Sequence, residues 1–306
     1  MKTALKRGLR QIRERTIASL RAAPSLATLR IAPGQAGFFG EVFCALNGLR
    51  MAEEYGLNAR IYWGPGSHYF EPDYAQDGDA WGAFFATSRL DFRQGAGAGA
   101  KSPLFSVKLK PGAHDFTPYE DLSIRRSVAL ALRAWCQPHP KIAKAVDEAQ
   151  AELFAGRSML GVHIRLTDAA AGFEGRQTVA LDQFFQATDS WLTEHPAAGI
   201  FLATDEERIV AAFEERYGAR VTFQDCLRSE DGTSIHGHYD AGVSGNPYQK
   251  GREVLIDALL LARCDYLIRT HSRVTAFSLC WSPELAFRDL ELEITGVNRL
   301  PWLHEP

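Results

Sequence analysis

Four short apolar runs in the second half of the chain restrict the fold more than any other feature. They are "SMLGVHI" (158–164), "AGIFLATD" (198–205), "RVTFQ" (220–224) and "DYLIRT" (265–270), each giving way to polar or charged residues at its end. Near-continuous apolar runs of this length fit strands covered on both faces. The intervening segments at 181–194, 206–217, 252–264 and 272–281 carry helical spacing. Strands alternating with helices make α/β layers around a parallel sheet. Thr204 and Glu207 stand at capping-box spacing for the helix at 206–217.

The first half follows the same alternation less cleanly. "ATLRIAP" (27–33) reads as a strand, "GQAGFFG" (34–40) as a glycine loop, and "EVFCALNGLRMAEEYG" (41–56) as a helix ended by Gly56. "ARIYW" (59–63) is the next strand, and residues 64–122 read as irregular, with a loose "QGAGAGAKSP" at 94–103. Helices at 122–136 and 141–155 lead back to the apolar runs, and the break at Pro138-His139-Pro140 marks a domain boundary. The expected organisation is a basic helix over 1–25, a Rossmann-like domain over 26–140 and a second over 141–306. The two parallel sheets are expected to face a cleft.

Composition narrows the function classes. The chain has 306 residues and a net charge of −3, which suits about two soluble domains and argues against nucleic acid as the main partner. Its five cysteines are scattered and form no CxxC pair, which fits a reduced, cytoplasmic protein. No stretch approaches the ~20 apolar residues of a spanning helix. Residues 1–22 carry Lys2, Lys6, Arg7, Arg10, Arg13, Arg15 and Arg21 against Glu14 alone. Two readings account for them: a solvated helix, or a peripheral contact with the anionic inner face of a membrane.

The chemistry concentrates at strand ends. In "GVHIRLTD" (161–168), His163 and Arg165 fall on one side of a strand at its C-terminal end, where open α/β sheets bind ligands. A buried arginine needs an anion. A diphosphate would suit its planar fork, and a structural ion pair with Asp205 is the alternative. Asp257 stands alone among apolar residues in "VLIDALLLA". Guanine, with two parallel N–H donors, would satisfy it, as would a local cap or a salt bridge to Arg252 or Arg263. "RTHSRVTAF" (269–277) places Thr270, Ser272 and Arg273 at the start of a helix, whose N-terminal end favours anions. The loop around Gly37 joins a strand to a helix in the same way, although a plain tight turn explains it equally well. Two metal-like patterns carry less: Asp77-Gly78-Asp79 lacks the preceding apolar strand of a metal clamp, and "HGHYD" (236–240) lacks further ligands.

Taken together, these segments resemble the fucosyltransferase superfamily that groups α1,6-fucosyltransferases, including the rhizobial nodulation enzyme, with protein O-fucosyltransferases. "GVHIRLTD" is similar to the family's HxRxxD motif, "FLATDE" to the strand motif that follows it, and "DALLLARCDYLIRTHSRVTAF" to its C-terminal motif. The resemblance implies a GT-B fold, with 26–140 as the acceptor-side domain and 141–306 as the nucleotide-sugar-binding domain, and an inverting, metal-independent transfer of L-fucose from GDP-fucose to a glycan acceptor, with no cofactor. It implies that Arg165 binds the β-phosphate, His163 lines the donor site, Asp257 reads guanine, and Ser272 and Arg273 lie near the phosphates. Glu174 falls close to where the α1,6 enzymes place a catalytic base, with Asp168 on the same loop. Two positions depart from the pattern: Leu166 stands where relatives carry a second basic residue, and Ser272-Arg273 where they carry paired serines. A GT-B enzyme using another nucleotide sugar, and a silent binding module of the same fold, are the alternatives.

Overall fold

The computed structural model describes residues 28–32, 37–54, 58–86, 89–91, 104–107, 122–165, 179–232 and 246–295. The first sheet is built from β1 (Thr28–Ile31), β2 (Asn58–Ile61), β3 (Arg89–Asp91) and β4 (Leu104–Val107), in the order β3-β2-β1-β4. β1 pairs in parallel with β2 and with β4. β3 runs antiparallel to β2, a correction to the expected all-parallel sheet. An antiparallel edge strand on a parallel sheet is common, and three residues suffice for it here. Both β3 and β4 lie in the stretch read as irregular, because neither carries an apolar run long enough to register as a strand.

Helix α1 (Phe38–Glu54) covers one face of this sheet, and a short α2 (Trp81–Phe84) follows β2. Two helices then cross to the second half: α3 (Leu122–Trp135) and α4 (Pro140–Phe154). Pro140 opens α4, and the His139 ring accepts from the Lys141 N–H at 3.2 Å. Proline at the first helical turn loses no hydrogen bond, so the Pro-His-Pro break is also a helix start.

The second sheet holds β5 (Met159–Ile164), β6 (Gly199–Thr204), β7 (Val221–Thr222), β8 (Tyr266–Arg269) and β9 (Ala286–Asp289) in the order β7-β6-β5-β8-β9. Every pairing is parallel. All residues of β5 and β6 are buried, as their uninterrupted apolar character requires. The connecting helices are α5 (Leu181–Glu194), α6 (Glu207–Tyr217), α7 (Pro247–Leu261), α8 (Arg273–Trp281) and α9 (Leu290–Thr295). In order of appearance the strands stand 3-2-1-4-5, so the winding reverses between β5 and β8. That reversal opens a crevice at the carboxyl ends of the strands.

Three local expectations are corrected. α7 starts at Pro247 rather than at residue 252, because Asn246 caps it by accepting from the N–H groups of Tyr248 and Gln249 at 2.8 and 3.2 Å. The capping box at Thr204 and Glu207 is not formed. Glu206 is the N-cap residue of α6, and Thr204 Oγ1 accepts from its N–H at 3.3 Å. β9 and α9 were not visible in the sequence, since "AFRDLELEIT" has neither a clear apolar run nor a long helical face.

The two sheets share a core through their helices. Phe39 of α1 packs on Phe277 of α8 with ring centroids 4.5 Å apart. A Cβ at Gly251 of α7 would come within 2.7 Å of Phe84 and 3.0 Å of Phe38, so only glycine lets these elements approach so closely. Tyr74 stacks on Tyr248 of α7 at 3.9 Å. None of the five cysteines forms a disulfide, and burial pushes the thiols of Cys136, Cys264 and Cys280 up. No described helix is long and apolar enough to cross a membrane. The basic segment 1–22 lies outside the described residues.

Candidate functional site

A cleft sits over the carboxyl ends of the second sheet, narrow enough that only about 50 Å³ of it admits a water-sized sphere, well below the ~300 Å³ of an enclosed small-ligand pocket. His163 and Arg165 line it from the end of β5, and Asp205 from the end of β6. Cys226 and Leu227 follow β7, and Lys250, Glu253 and Asp257 face in from α7. Val274, in the first turn of α8, closes one side.

The depth of each group follows from how α7 lies on β5. A Cβ at Gly161 would touch Leu261 at 3.2 Å and Cys264 at 3.1 Å, so the face of β5 that carries Gly161, His163 and Arg165 is turned to α7. From that contact β5 climbs about 7 Å to His163 and about 13 Å to Arg165. The helix climbs the other way along its sequence, about 6 Å from Leu261 to Asp257 and about 16 Å to Lys250. Asp257 and His163 therefore share the floor of the cleft, while Lys250 and Arg165 share its rim.

The floor is electrostatically unusual. Asp257 Oδ1 is shielded from solvent and has no hydrogen-bond partner. Burial pushes its carboxyl up to about 7, against the pull of Arg228 and with the help of Glu253. The salt bridges that could have explained this residue are absent among the described residues: Arg263 instead pairs with Asp147 at 2.7 Å and bonds Gln150 at 2.7 Å. Beside it, burial and then the Asp257 charge push the Cys226 thiol up, which keeps that side chain a neutral S–H. His163 is 5% exposed.

At the rim, Arg165 Nε stands 3.9 Å from Asp205 Oδ2, with 21% of the arginine side chain exposed. That is an ion pair, but it is longer than a hydrogen bond. Lys250 is 5% exposed, and burial lowers its ammonium from the usual lysine range. Glu253 fixes the wall: its Oε2 accepts from the Leu227 N–H at 3.1 Å and its Oε1 from Gln249 at 2.7 Å. Arg228 braces the same segment by donating to the Gln224 carbonyl at 2.6 Å.

Four of the residues singled out in the sequence thus meet in one cleft: His163, Arg165, Asp205 and Asp257. None of the others that are described lines it. Ser272 is buried, and its Oγ accepts from the Val274 N–H at 3.2 Å to cap α8. Thr270 is buried and Arg273 half-buried, both outside the lining. Gly37 precedes α1 away from the cleft lining, and a Cβ there would meet nothing within 4 Å, so its backbone does not demand glycine. Asp168, Glu174 and the "HGHYD" segment lie outside the described residues. Lys250 was missed because residues before 252 read as a loop, although Asn-Pro at 246–247 signals a cap and first turn; Glu253 lay in the expected helix with nothing in the sequence to set it apart.

The Asp77-Gly78-Asp79 pattern is a turn. Asp77 and Gly78 adopt left-handed backbone angles with φ of 51° and 71°. Asp79 Oδ1 accepts from the N–H groups of Trp63 and Trp81 at 2.9 and 3.0 Å. Among the described residues no group of three or more His, Cys, Asp or Glu could hold a metal ion.

An open parallel sheet of order 3-2-1-4-5 with a charged cleft at its switch point defines a doubly wound α/β fold. No family model matches the sequence, and no curated protein sequence matches it significantly. Solved structures do match. The α1,6-fucosyltransferase NodZ soaked with GDP-fucose aligns at 17% identity over 88% of this chain and 97% of its own, with a TM-score of 0.50. Fucosyltransferase NodZ from Bradyrhizobium aligns at 18% identity over 86% of this chain and 96% of its own, with a TM-score of 0.49. POFUT1 in complex with GDP aligns at 8% identity over 86% of this chain and 98% of its own, with a TM-score of 0.47. The first of these alignments gives the chain the overall fold of a GT-B fucosyltransferase.

Proposed function

We propose that this chain is a member of the fucosyltransferase superfamily, an inverting glycosyltransferase that moves L-fucose from GDP-fucose to a glycan acceptor without a metal ion. The observation that carries the reading is the vertical order of the cleft: an unpartnered buried carboxylate, Asp257, at the floor and two cations, Arg165 and Lys250, at the rim. A nucleoside diphosphate has the matching order, with N–H donors on its guanine edge at one end and phosphate oxygens at the other. The fold shared with NodZ, a GDP-fucose-soaked fucosyltransferase, supports the same donor.

In this reading the acceptor hydroxyl oxygen attacks the anomeric carbon as the bond to the β-phosphate oxygen breaks, which inverts that carbon. GDP leaves with the bonding pair, and a carboxylate takes the hydroxyl proton. Arg165 and Lys250 neutralise the charge that grows on the leaving diphosphate, the work a divalent ion does in other enzymes. Lys250 occupies the role left open by Leu166. Glu174 is proposed as the base, with Asp168 bracing the Arg165 loop.

The test is a donor screen. The purified chain, in excess EDTA, is offered GDP-fucose, GDP-mannose, UDP-glucose and UDP-N-acetylglucosamine, and released nucleotide is measured. GDP-fucose should be turned over at the same rate with and without EDTA. Turnover of a UDP-sugar in its place, or activity that returns only with Mn²⁺, would overturn the assignment.

Floor and rim should separate in binding. Asp257→Asn presents an amide donor to guanine donors, so GDP and guanosine should both weaken by ~10-fold or more. Lys250→Met should weaken GDP by ~10-fold or more, yet leave guanosine at its wild-type affinity. Guanine N–H groups favour the ionised carboxylate, so binding should lower the Asp257 pKa from about 7. GDP binding should therefore release protons near neutral pH and weaken as pH falls below that value. Calorimetry in two buffers of different ionisation heat reads both affinity and proton release.

A further inference from the structure

The first sheet has a second charged feature, on the face turned away from α1. β1 and β2 pair with Arg30 opposite Arg60, so both side chains leave one face of the sheet. Ile31 and Ile61 alternate with them and are buried, and Ile31 packs against Gly48 of α1. The two guanidiniums gather on one ring: Arg30 Cζ lies 3.6 Å from the centroid of Tyr62, and Arg60 Cζ lies 5.4 Å from it. The ring is held by backbone, since a Cβ at Gly64 would fall 2.3 Å from it.

Among the described residues these cations outnumber the carboxylate that meets them. Asp79 Oδ2 is 3.9 Å from Arg60 Nε, while its Oδ1 already accepts from two backbone N–H groups. The Nε atoms of Arg30 and Arg60 are buried and have no hydrogen-bond partner. Arg30 makes no ion pair with any described residue; its one contact of this kind is the Tyr62 ring. Backbone register sets Arg89 of β3 beside Arg60 and Ser106 of β4 beside Arg30. A half-buried guanidinium without an anion is costly. One stacked on an aromatic face keeps its N–H edge free for a planar oxyanion.

We infer that Arg30, Tyr62 and Arg60 form an oxyanion site that takes a carboxylate or phosphate carried by a sugar of the acceptor. The assignment rests on the reading of the chain as a glycosyltransferase whose first sheet is the acceptor side. It deepens that reading by naming the acceptor class as an anionic glycan. Position supports it. β1 leads through residue 32 and on to Phe38, whose ring lies against the Gly251 position, next to Lys250 at the rim of the donor cleft. Recess supports it as well, because the Arg60 side chain is only 19% exposed. A sugar-borne oxyanion can enter such a recess, whereas a flat bilayer meets cations that protrude.

The test titrates wild type, Arg30→Gln and Arg30→Lys with trigalacturonate, glucose 6-phosphate, inorganic phosphate, phosphatidylglycerol vesicles and neutral maltotriose, with and without saturating GDP. Arg30 gives up no hydrogen bond when replaced, and circular dichroism checks that each variant is folded. Wild type should bind trigalacturonate or glucose 6-phosphate, ignore maltotriose, and bind less tightly as salt rises. Arg30→Gln should weaken that binding at least ~10-fold, with Arg30→Lys intermediate. The site is overturned if folded Arg30→Gln binds as wild type does, if neither sugar anion binds, or if only inorganic phosphate or phosphatidylglycerol vesicles bind. A wild type that takes up sugar anions through Arg30 but fails to bind GDP would sink the proposed donor and leave this site standing.

Discussion

Arg165→Ala should lower transfer by ~10²–10³-fold, because one lost contact to the leaving diphosphate removes about 2–4 kcal/mol of transition-state stabilisation. The structure raises a competing account, since Arg165 also meets Asp205 at 3.9 Å. The two accounts separate in the details. If the arginine were there to neutralise Asp205, then Asp205→Asn would relieve Arg165→Ala, and the double variant would recover. If it serves the diphosphate, the double variant stays as slow as the single one. Arg165→Lys should recover little, since an ammonium cannot bond two phosphate oxygens in one plane. Single-turnover rates at saturating donor are the measurement. A folded Arg165→Ala enzyme that keeps more than about a tenth of wild-type activity would remove Arg165 from the chemistry.

The second sheet was legible because its strands are covered on both faces, so each had to be a continuous apolar run. β5 shows this best: "MLGVHI" is buried throughout, and its charged neighbour Arg165 announced the strand end. Asp257 was legible for a similar reason, as one carboxylate in a helix otherwise free of charge over "VLI" and "ALLLA". Lys250 was not. Its helix turn is spelled "NPYQKGR", which has the composition of a loop, and what makes it helical is the Asn246 cap followed by proline at the first position. Ser272 was legible as a helix start but not as a capping group, because a serine that caps and a serine that binds phosphate look alike in sequence. Arg269 carried no signal of its role. Its partner Asp289, 3.1 Å away, sits on β9, and the two meet only through the β8–β9 register. The first sheet was the least legible. β3 and β4 are short and separated by residues with no periodicity, and the arginines of β1 and β2 become a pair only when the strands align.

The remaining large effect concerns the base, where geometry sets bounds even though Asp168 and Glu174 lie outside the described residues. Asp168 follows Arg165 by three positions, so its backbone stays within about 10 Å of the rim at full extension. With the donor placed as proposed, a carboxylate at that distance would oppose the charge on the leaving group unless it paired with a cation. Glu174 follows by nine positions and can reach about 30 Å from Arg165, enough to stand on the acceptor side of the anomeric carbon. A base in an inverting displacement must be on that side, within about 3 Å of the attacking hydroxyl or one water away. Glu174→Gln keeps shape and loses basicity, so turnover should fall ~10²–10⁴-fold while GDP affinity stays at the wild-type value. Asp168→Asn, as a loop brace, should change donor affinity together with turnover. The pair is read by kcat alongside calorimetric GDP affinity for each variant. A Glu174→Gln enzyme with normal kcat, beside an Asp168→Asn enzyme that binds GDP normally but does not turn over, would exchange the two roles.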